Sequence, residues 1–255
     1  MKALDLAIIG GTGLYRFEGV EATERVTVDT PYGATSDAIV VGTLGKSRIA
    51  FLARHGEAHD VAPHRVNYRA NVWALHSLGA RRVVGVNAVG GITAKMGPRA
   101  LAIPDQLIDY TDGRLSSYSD APGVKVRHID FSEPYTESLR RDLLAAAARS
   151  GIVAHDGGCY GATQGPRLET VAEIARMARD GCDIVGMTGM PEAALARELD
   201  IDYACIALVA NWAAGCDERG VGQKGVPPIS LDEIFEHLRV VTANIPPIVR
   251  ALLAG

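Results

Sequence analysis

The chain has 255 residues, of which 47% are hydrophobic and 22% are charged, and its formal net charge is -4. This length suits one α/β domain with a sizeable buried core, and the lack of a basic excess argues against a nucleic-acid-binding protein. The four cysteines show no C-x-x-C spacing, so we expect free thiols in a reducing compartment. No secretory or membrane-spanning segment is recognisable, and the expected location is the cytoplasm.

Short β-branched runs alternate with amphipathic stretches along the chain. We predict strands over residues 6–9, 38–41 and 48–52 (a hairpin), 82–86, 101–110 (one strand or a pair), 184–187 and 203–210. Helices are predicted over residues 66–78, 134–150, 171–179, 191–199 and 231–253, the last one bent where Pro246 and Pro247 lack backbone donors. Polar loops are predicted over residues 114–127 and 215–228. The alternation indicates a largely parallel sheet with helices on both faces.

Two familiar motifs are incomplete in this sequence. Gly11-Thr12-Gly13 follows the first strand, but Arg16 stands where a dinucleotide-binding fingerprint needs its third glycine. The pair His55 and His59 resembles a zinc motif, but the glycine after His55 disfavours the helix that such a motif requires. With no nucleophile elbow either, we expect no metal and no covalent enzyme intermediate.

Three segments that follow predicted strands are suited to holding an anion. They are Gly11-Thr12-Gly13, Arg54-His55-Gly56 and Asn87-Ala88-Val89-Gly90-Gly91. Glycines let backbone N–H groups approach an anion, and arginine offers a fork of donors that matches phosphate oxygens. Each segment alone is as readily an ordinary turn. Because strand ends of one sheet lie together, the three segments jointly predict a phosphate site.

The chain resembles the family of methylthioadenosine phosphorylases and trimeric purine nucleoside phosphorylases. Six segments carry the resemblance in the family's order: 8–14 (IIGGTGL), 54–56 (RHG), 66–71 (VNYRAN), 87–91 (NAVGG), 164–170 (QGPRLET) and 186–192 (GMTGMPE). The resemblance implies a single nucleoside phosphorylase domain over residues 1–255, with a central mixed, mostly parallel sheet flanked by helices. It also implies a homotrimer with sites at subunit interfaces, a phosphate co-substrate, and neither cofactor nor metal.

Site residues follow from the same resemblance. It implies phosphate contacts from Thr12, Arg54, His55, Asn87, Ala88 and Thr188. Asn87 stands where the methylthioadenosine enzymes usually have threonine, so its contact is expected through the backbone. Met187 would lie under the ribose, and Leu168 would pack near the purine. His128 would reach the site of a neighbouring subunit, although without the resemblance it reads as an exposed loop imidazole.

The residues at the purine end indicate which base is cleaved. Adenine-cleaving relatives carry two aspartates in the segment that here reads Asn211-Trp212-Ala213, whereas oxopurine-cleaving relatives have asparagine and a glutamate at the positions of Asn211 and Glu169. A carboxylate accepts the N1–H of hypoxanthine but faces a lone pair on adenine. A buried mismatch of this kind costs about 1–3 kcal/mol for each unpaired group. The substrate-binding residues expected at this end are Glu169, Asn211, Trp212 and Ala213, although Glu169 also suits the start of a helix without any ligand.

Leu231 indicates which group the substrate carries at its 5′ position. Inosine- and guanosine-cleaving relatives have a histidine there for the 5′-hydroxyl, whereas a leucine suits a methylthio group. We therefore expect phosphorolysis of S-methyl-5′-thioinosine, with S-methyl-5′-thioadenosine or plain inosine and guanosine as alternatives. Two alternatives belong to other functional classes. One is a nucleosidase that uses water in place of phosphate, and the other is a non-catalytic sensor of nucleoside or phosphate.

The resemblance implies a mechanism with an oxocarbenium-like transition state. Phosphate, oriented by His55, would attack C1′ while Asn211 stabilises the negative charge on the departing purine.

Overall fold

A mixed sheet of eleven strands forms the centre of the computed structural model, which describes residues 3–120 and 123–255. Met1 and Lys2 of the N-terminus and Ala121 and Pro122 of the predicted 114–127 loop lie outside the described residues. The strands are β1 (Leu6–Gly10), β2 (Glu21–Val26), β3 (Ile39–Leu44), β4 (Ser47–Ala53), β5 (Arg82–Gly91), β6 (Leu101–Ile103), β7 (Gln106–Asp109), β8 (His155–Asp156), β9 (Cys159–Ala162), β10 (Ile184–Gly186) and β11 (Asp202–Trp212). A separate hairpin joins β12 (Cys216–Asp217) to β13 (Gly220–Val221).

Six α-helices and one 3₁₀ turn (Pro63–Arg65) complete the described fold. The α-helices are α1 (Tyr68–Ser77), α2 (Glu137–Arg149), α3 (Val171–Arg179), α4 (Glu192–Glu198), α5 (Leu231–Thr242) and α6 (Ile245–Ala254). Helix α3 has the predicted bounds because Thr170 and Glu173 form a capping box at its start. The prediction of one bent C-terminal helix was wrong. The chain forms two helices, and Pro246 and Pro247 lie in the first turn of α6, where a backbone donor has no partner in the helix.

Three strand regions were absent from the sequence prediction: β2, the neighbouring β8 and β9, and the hairpin β12–β13. Strands β8 and β9 span only two and four residues, which is too short for a clear pattern. Strand β2 is exposed along its length, so it lacks the apolar alternation that signals a strand. The hairpin β12–β13 lies inside the segment predicted as a loop over residues 215–228, and its two-residue strands are too short to show a pattern. The predicted hairpin before residue 53 and the predicted pair within residues 101–110 are confirmed.

The sheet is mixed and mostly parallel, as predicted. Its order is β2-β3-β4-β1-β5-β10-β9-β7, and β11 joins β5 to a side branch of β6 and β8. Strand β1 is parallel to β4 and β5, and β11 is parallel to β5. Apolar residues cover both faces, since Ile9 belongs to one buried cluster and its neighbour Ile8 to the other.

This topology gathers the functional segments at one edge. The carboxyl ends of β1 and β4 are paired, with Gly10 opposite Ala53. Strand β10 runs antiparallel to β5, so its carboxyl end turns back toward the middle of β5. Parallel strands that end at one edge of a sheet form the usual place for a ligand. None of the helices within residues 3–120 and 123–255 is long and apolar enough to cross a bilayer.

Candidate active site

A cavity of about 400 Å³ opens at this edge of the sheet. It takes residues from the turn after β1, from the segments after β4 and β10, from β5 and β11, and from helix α5. The lining residues that the sequence predicted are Thr12, His55, Ala88, Leu168, Glu169, Met187, Thr188, Asn211 and Ala213. Residues more than 150 positions apart in the chain therefore meet around one volume.

Arg54 lies behind the cavity wall and not in it. Its side chain is 0% exposed, and the residue is not part of the lining. Its guanidinium donates to both carboxylate oxygens of Glu192 at 2.7 Å each, to the Val86 carbonyl at 2.9 Å and to Oδ1 of Asn87 at 2.9 Å. Burial opposes the charged form, but the Glu192 carboxylate outweighs it, so the pKa of Arg54 lies above its ordinary value.

Gly11 separates Arg54 from the cavity. A Cβ on Gly11 would come within 2.9 Å of Nη1 of Arg54 and within 2.6 Å of the Val86 carbonyl oxygen. Gly11 itself lines the cavity. Only glycine lets the turn after β1 lie this close over the guanidinium, so the positive charge sits directly beneath the backbone that bounds the cavity.

Asn87 is also buried behind the lining. Its Oδ1 accepts from Arg54, and its Nδ2 donates to the Tyr160 hydroxyl at 3.4 Å. The same hydroxyl accepts from the backbone N–H of Thr188 at 3.4 Å. The amide that replaces threonine here thus connects Arg54 to the segment that carries Thr188.

His55 contributes a neutral imidazole to the cavity wall. It is 5% exposed, and its Nδ1 lies 2.8 Å from the Val61 carbonyl oxygen, which can only accept. Nδ1 therefore carries the hydrogen and Nε2 is the acceptor. Burial, reinforced by the charge of Arg54, lowers the pKa of His55 to about 4.

The residues predicted to bind the purine are held by short hydrogen bonds. The Thr163 hydroxyl donates to Oε1 of Glu169 at 2.6 Å, and Nδ2 of Asn211 donates to the Trp212 carbonyl at 2.6 Å. Strand β11 shifts register against β5 between Val209 and Asn211. Such an irregularity redirects side chains, and it brings both Asn211 and Ala213 to the cavity.

Trp212 points elsewhere. A Cβ on Gly97 would lie 3.1 Å from the Trp212 indole, so this ring packs against the segment after β5 and lies outside the lining. The segment 211–213 was predicted to supply three substrate-binding residues. The structure brings only its first and third residues to the cavity, because successive residues of an extended strand face opposite sides.

Helix α5 contributes an apolar wall through Ile234 and Leu238, next to Ile229. Leu231, the predicted contact for the 5′ group, begins this helix and is 64% exposed outside the lining. Ile234 and Leu238 are four positions apart and face the cavity together, whereas Leu231 extends past its edge. His128 is exposed and also lies outside the cavity of its own chain, and its contact with a neighbouring subunit stays a prediction.

Comparisons with known proteins identify the family of this chain. Residues 5–253 match the model of the phosphorylase superfamily. The chain belongs to the phosphorylase superfamily. Over 254 residues it is 53% identical to a probable S-methyl-5′-thioinosine phosphorylase of Xanthomonas campestris pv. campestris, covering 100% of this chain and 99% of that protein.

Two further relatives are named for other substrates. A 6-oxopurine nucleoside phosphorylase of Pyrococcus furiosus is 42% identical over 246 residues, covering 94% of this chain and 92% of the other. A solved methylthioadenosine phosphorylase from an antarctic soil metagenomic library is 36% identical with a TM-score of 0.88, covering 100% of this chain and 86% of the other. The predicted family and fold are thereby confirmed.

One part of this phosphorylase's cavity was missed by the sequence prediction. Residues 59–63 form a rim, and the His59 ring lies with its centroid 5.1 Å from that of His55 and 5.4 Å from that of Tyr15. The signal was present in the spacing of His55 and His59, which was considered only as a zinc motif. Two histidines four positions apart can also line a turn, as they do here, where His59 has a φ of 55°.

Proposed function

We propose that the protein catalyses the phosphorolysis of S-methyl-5′-thioinosine to hypoxanthine and 5-methylthioribose 1-phosphate. The observation that carries the proposal is that Glu169 and Asn211 share one cavity with Thr12, His55 and Thr188. A purine-reading pair thus faces a group of anion-binding residues across a volume large enough for a nucleoside. The name of the 53% identical relative supports the same substrate.

Phosphate would bind among Thr12, His55, Ala88 and Thr188. The two threonines offer hydroxyl donors, and Ala88 offers its backbone. Neutral His55 offers an acceptor at Nε2, which suits the single O–H of a phosphate dianion. Arg54 would act through its charge from behind Gly11. Asn87, which is bonded to Arg54 and linked to Thr188 through the Tyr160 hydroxyl, would fix the position of these two residues relative to each other. Positioning of this kind supplies much of the rate in a reaction with no covalent enzyme intermediate.

The purine would lie between Glu169 and Asn211. Thr163 occupies Oε1 of Glu169, which leaves Oε2 to accept the N1–H of hypoxanthine. One N–H of Asn211 is bound to the Trp212 carbonyl, which leaves the other N–H for O6 and the amide oxygen for a protonated N7. Negative charge that develops on the departing base would be stabilised by this amide, so Asn211 is the proposed leaving-group residue.

The 5′ substituent would pack on the apolar wall of helix α5. Ile234, Leu238 and Ile229 offer this group no hydrogen-bonding side chain, so a methylthio group gains from burial while a 5′-hydroxyl loses its partners. Met187, also in the lining, would lie under the ribose. The role expected of Leu231 is therefore assigned to Ile234 and Leu238, with Leu231 at the edge.

The proposed assembly is a cytoplasmic homotrimer in which His128 reaches a neighbour's cavity near the 5′ end. Its support is the pair Leu231 and Phe235, which are 64% and 51% exposed on the same helix beside the cavity. Exposed apolar side chains in a cluster are typical of a surface that another chain covers. The proposed reaction uses inorganic phosphate as co-substrate and needs no cofactor.

A methylthioadenosine phosphorylase is the second candidate, because a solved structure of that name superimposes over the full chain. Against it stands the segment Asn211-Trp212-Ala213, which offers no carboxylate. The deciding experiment follows release of free base from S-methyl-5′-thioinosine and S-methyl-5′-thioadenosine by the purified protein. Release that requires phosphate and favours the inosine compound supports the proposal. Release without phosphate would show a nucleosidase, and no release would show a binding protein.

A further inference from the structure

Arg114 donates more hydrogen bonds than a residue of an ordinary surface loop needs. It lies in the stretch that the sequence predicted as a loop, yet its guanidinium donates to six acceptor atoms. These are the Tyr68 hydroxyl (3.2 Å), the carbonyls of Thr163 (3.2 Å), Gln164 (2.9 Å), Met187 (2.9 Å) and Met190 (2.5 Å), and Oε1 of Gln164 (3.0 Å). The guanidinium also lies over the Tyr68 ring, with its carbon 5.4 Å from the ring centroid.

The carbonyl acceptors belong to two stretches of the cavity wall. Met187 lines the cavity itself and is followed by Thr188. Thr163 gives its carbonyl to Arg114 and its hydroxyl to Glu169, so one residue joins the guanidinium to the purine-reading carboxylate. Gln164 leads into the turn that places Leu168 in the lining.

Tyr68 connects Arg114 to a third stretch. The Tyr68 hydroxyl accepts from Arg114 and donates to the Pro63 carbonyl at 3.0 Å. Pro63 belongs to the rim formed by residues 59–63. A single side chain thus connects three stretches of the cavity wall.

Arg54 and Arg114 divide the described site between them. Arg54 binds Val86, Asn87 and Glu192 behind the anion-binding residues, and within the described residues it shares no acceptor with Arg114. A planar guanidinium can hold several carbonyls in fixed directions, which an ammonium group cannot do. The anion-binding residues are therefore supported mainly by Arg54, and the nucleoside residues mainly by Arg114.

We propose that Arg114 is a positioning residue for the nucleoside half of the cavity; this rests on the proposed phosphorolysis. Arg114 lies outside the cavity lining, so it acts through Met187, Glu169 and Pro63. Its loss displaces the surfaces that contact the ribose and the base. Thr188 lies between Met187 and Met190, but its backbone N–H is also linked to Arg54 through the Tyr160 hydroxyl and Asn87. The phosphate surfaces therefore change less than the nucleoside surfaces.

The test compares steady-state kinetics of Arg114→Met and Arg114→Lys with the wild-type protein, varying nucleoside and phosphate separately. We expect Arg114→Met to lower kcat/KM for S-methyl-5′-thioinosine about 100-fold, the usual effect of a small misplacement of reacting groups. The KM for phosphate should stay within about threefold. Arg114→Lys keeps the charge and loses the fork, so an intermediate loss is expected, again confined to the nucleoside.

Arg140→Met is the matched control. Arg140 is buried and donates to the carbonyls of Ile103 and Pro104, neither of which lines the cavity. Its replacement should lower the melting temperature and leave both KM values within about twofold, since it removes structural bonds only. Comparing the two variants separates a positioning role from a general loss of stability.

Equal changes in the two KM values for Arg114→Met, or kinetics that match those of Arg140→Met, would overturn the inference. Should Arg114→Met fail to fold, unchanged nucleoside kinetics in Arg114→Lys would overturn it as well. The activity of the wild-type protein tests the proposed function separately. A wild-type protein that cleaves no purine nucleoside rejects the function and this inference together, whereas an active wild type with no nucleoside-specific loss rejects the inference alone.

Discussion

Arg54 and Glu192 form a fully buried ion pair in which two guanidinium nitrogens meet both carboxylate oxygens at 2.7 Å. Both side chains are 0% exposed. The Tyr203 hydroxyl donates to the same carboxylate at 2.8 Å, so the pair is closed by a third buried group. This pair fixes the position of the positive charge behind Gly11, and with it the electrostatics of the proposed anion end, where Thr12, His55, Ala88 and Thr188 would bind phosphate.

Replacing Glu192 by glutamine leaves Arg54 charged, buried and without its counter-ion. We expect Glu192→Gln to lower the free energy of unfolding by about 3 kcal/mol, the usual cost of removing one partner of a buried pair. The KM for phosphate should rise as well, because the guanidinium loses its anchor. Denaturant titration and phosphate-dependent kinetics measure the two effects.

Asp142→Asn is the control for that prediction. Asp142 meets Arg82 at 2.6 Å, but both side chains are substantially exposed. Exposed pairs contribute at most about 1 kcal/mol, so this variant should be nearly neutral. If Glu192→Gln were equally neutral, the buried pair would not hold the anion end in place.

Glu169 is predicted to select the base. Glu169→Gln keeps the size of the side chain and adds a donor that can face the bare N1 of adenine. We expect kcat/KM for S-methyl-5′-thioinosine to fall about tenfold or more, while that for S-methyl-5′-thioadenosine falls less or rises. The ratio of the two values is the measurement. An unchanged ratio would mean that Glu169 only supports the start of helix α3.

The apolar wall of helix α5 is predicted to select the 5′ group. Ile234→Thr places a hydroxyl in the lining, where it can pair with a 5′-hydroxyl and disfavours a methylthio group. We expect the ratio of kcat/KM for inosine to that for S-methyl-5′-thioinosine to rise about tenfold, which corresponds to one hydrogen bond. Leu231→Thr, at the exposed edge of the same helix, should change this ratio less. A larger effect at Leu231 would return the selecting role to the residue indicated by the sequence.

Much of this architecture was predictable from sequence. Strands such as β1 are short, wholly apolar and followed by glycine turns, and α3 begins with a capping box, so local patterns define them. The cavity residues Thr12, Glu169 and Asn211 lie in segments with a family pattern. Because strand ends of one sheet converge, their meeting could also be expected.

Other features depended on long-range contacts that no local pattern contains. Arg54 was predicted to contact phosphate directly, but it is buried behind the cavity wall, and its partner Glu192 lies 138 residues away in the chain. Arg114 gave no signal, because five of its six acceptors are backbone carbonyls or a tyrosine hydroxyl, whose positions follow from the fold and not from residue type. The orientation of α5, which exposes Leu231 and buries Leu238, likewise depends on how the helix packs on β11.

His55 predicts a pH dependence of stability. Its pKa is about 4 in the folded protein and lies near 6.5 when unfolded, so protonation favours the unfolded chain. Above pH 6.5 His55 adds no pH dependence, and as the pH falls from about 6.5 to about 4 it should remove about 3 kcal/mol of stability. Denaturant titrations in phosphate-free buffer at pH 7 and pH 4 measure this loss.

His55→Asn isolates the contribution, since the asparagine amide can donate to the Val61 carbonyl without titrating. The variant should lose about 3 kcal/mol less than the wild type over the same interval. Equal losses in the two proteins would show that His55 is not a buried neutral imidazole.

The most direct test of the central claim is the comparison of kcat/KM for S-methyl-5′-thioinosine, S-methyl-5′-thioadenosine and inosine on the purified protein, with phosphate present and absent. The account predicts that the first substrate is preferred by about tenfold or more over each of the others, and that no base is released without phosphate. A large preference for S-methyl-5′-thioadenosine, or cleavage that continues in phosphate-free buffer, would contradict it.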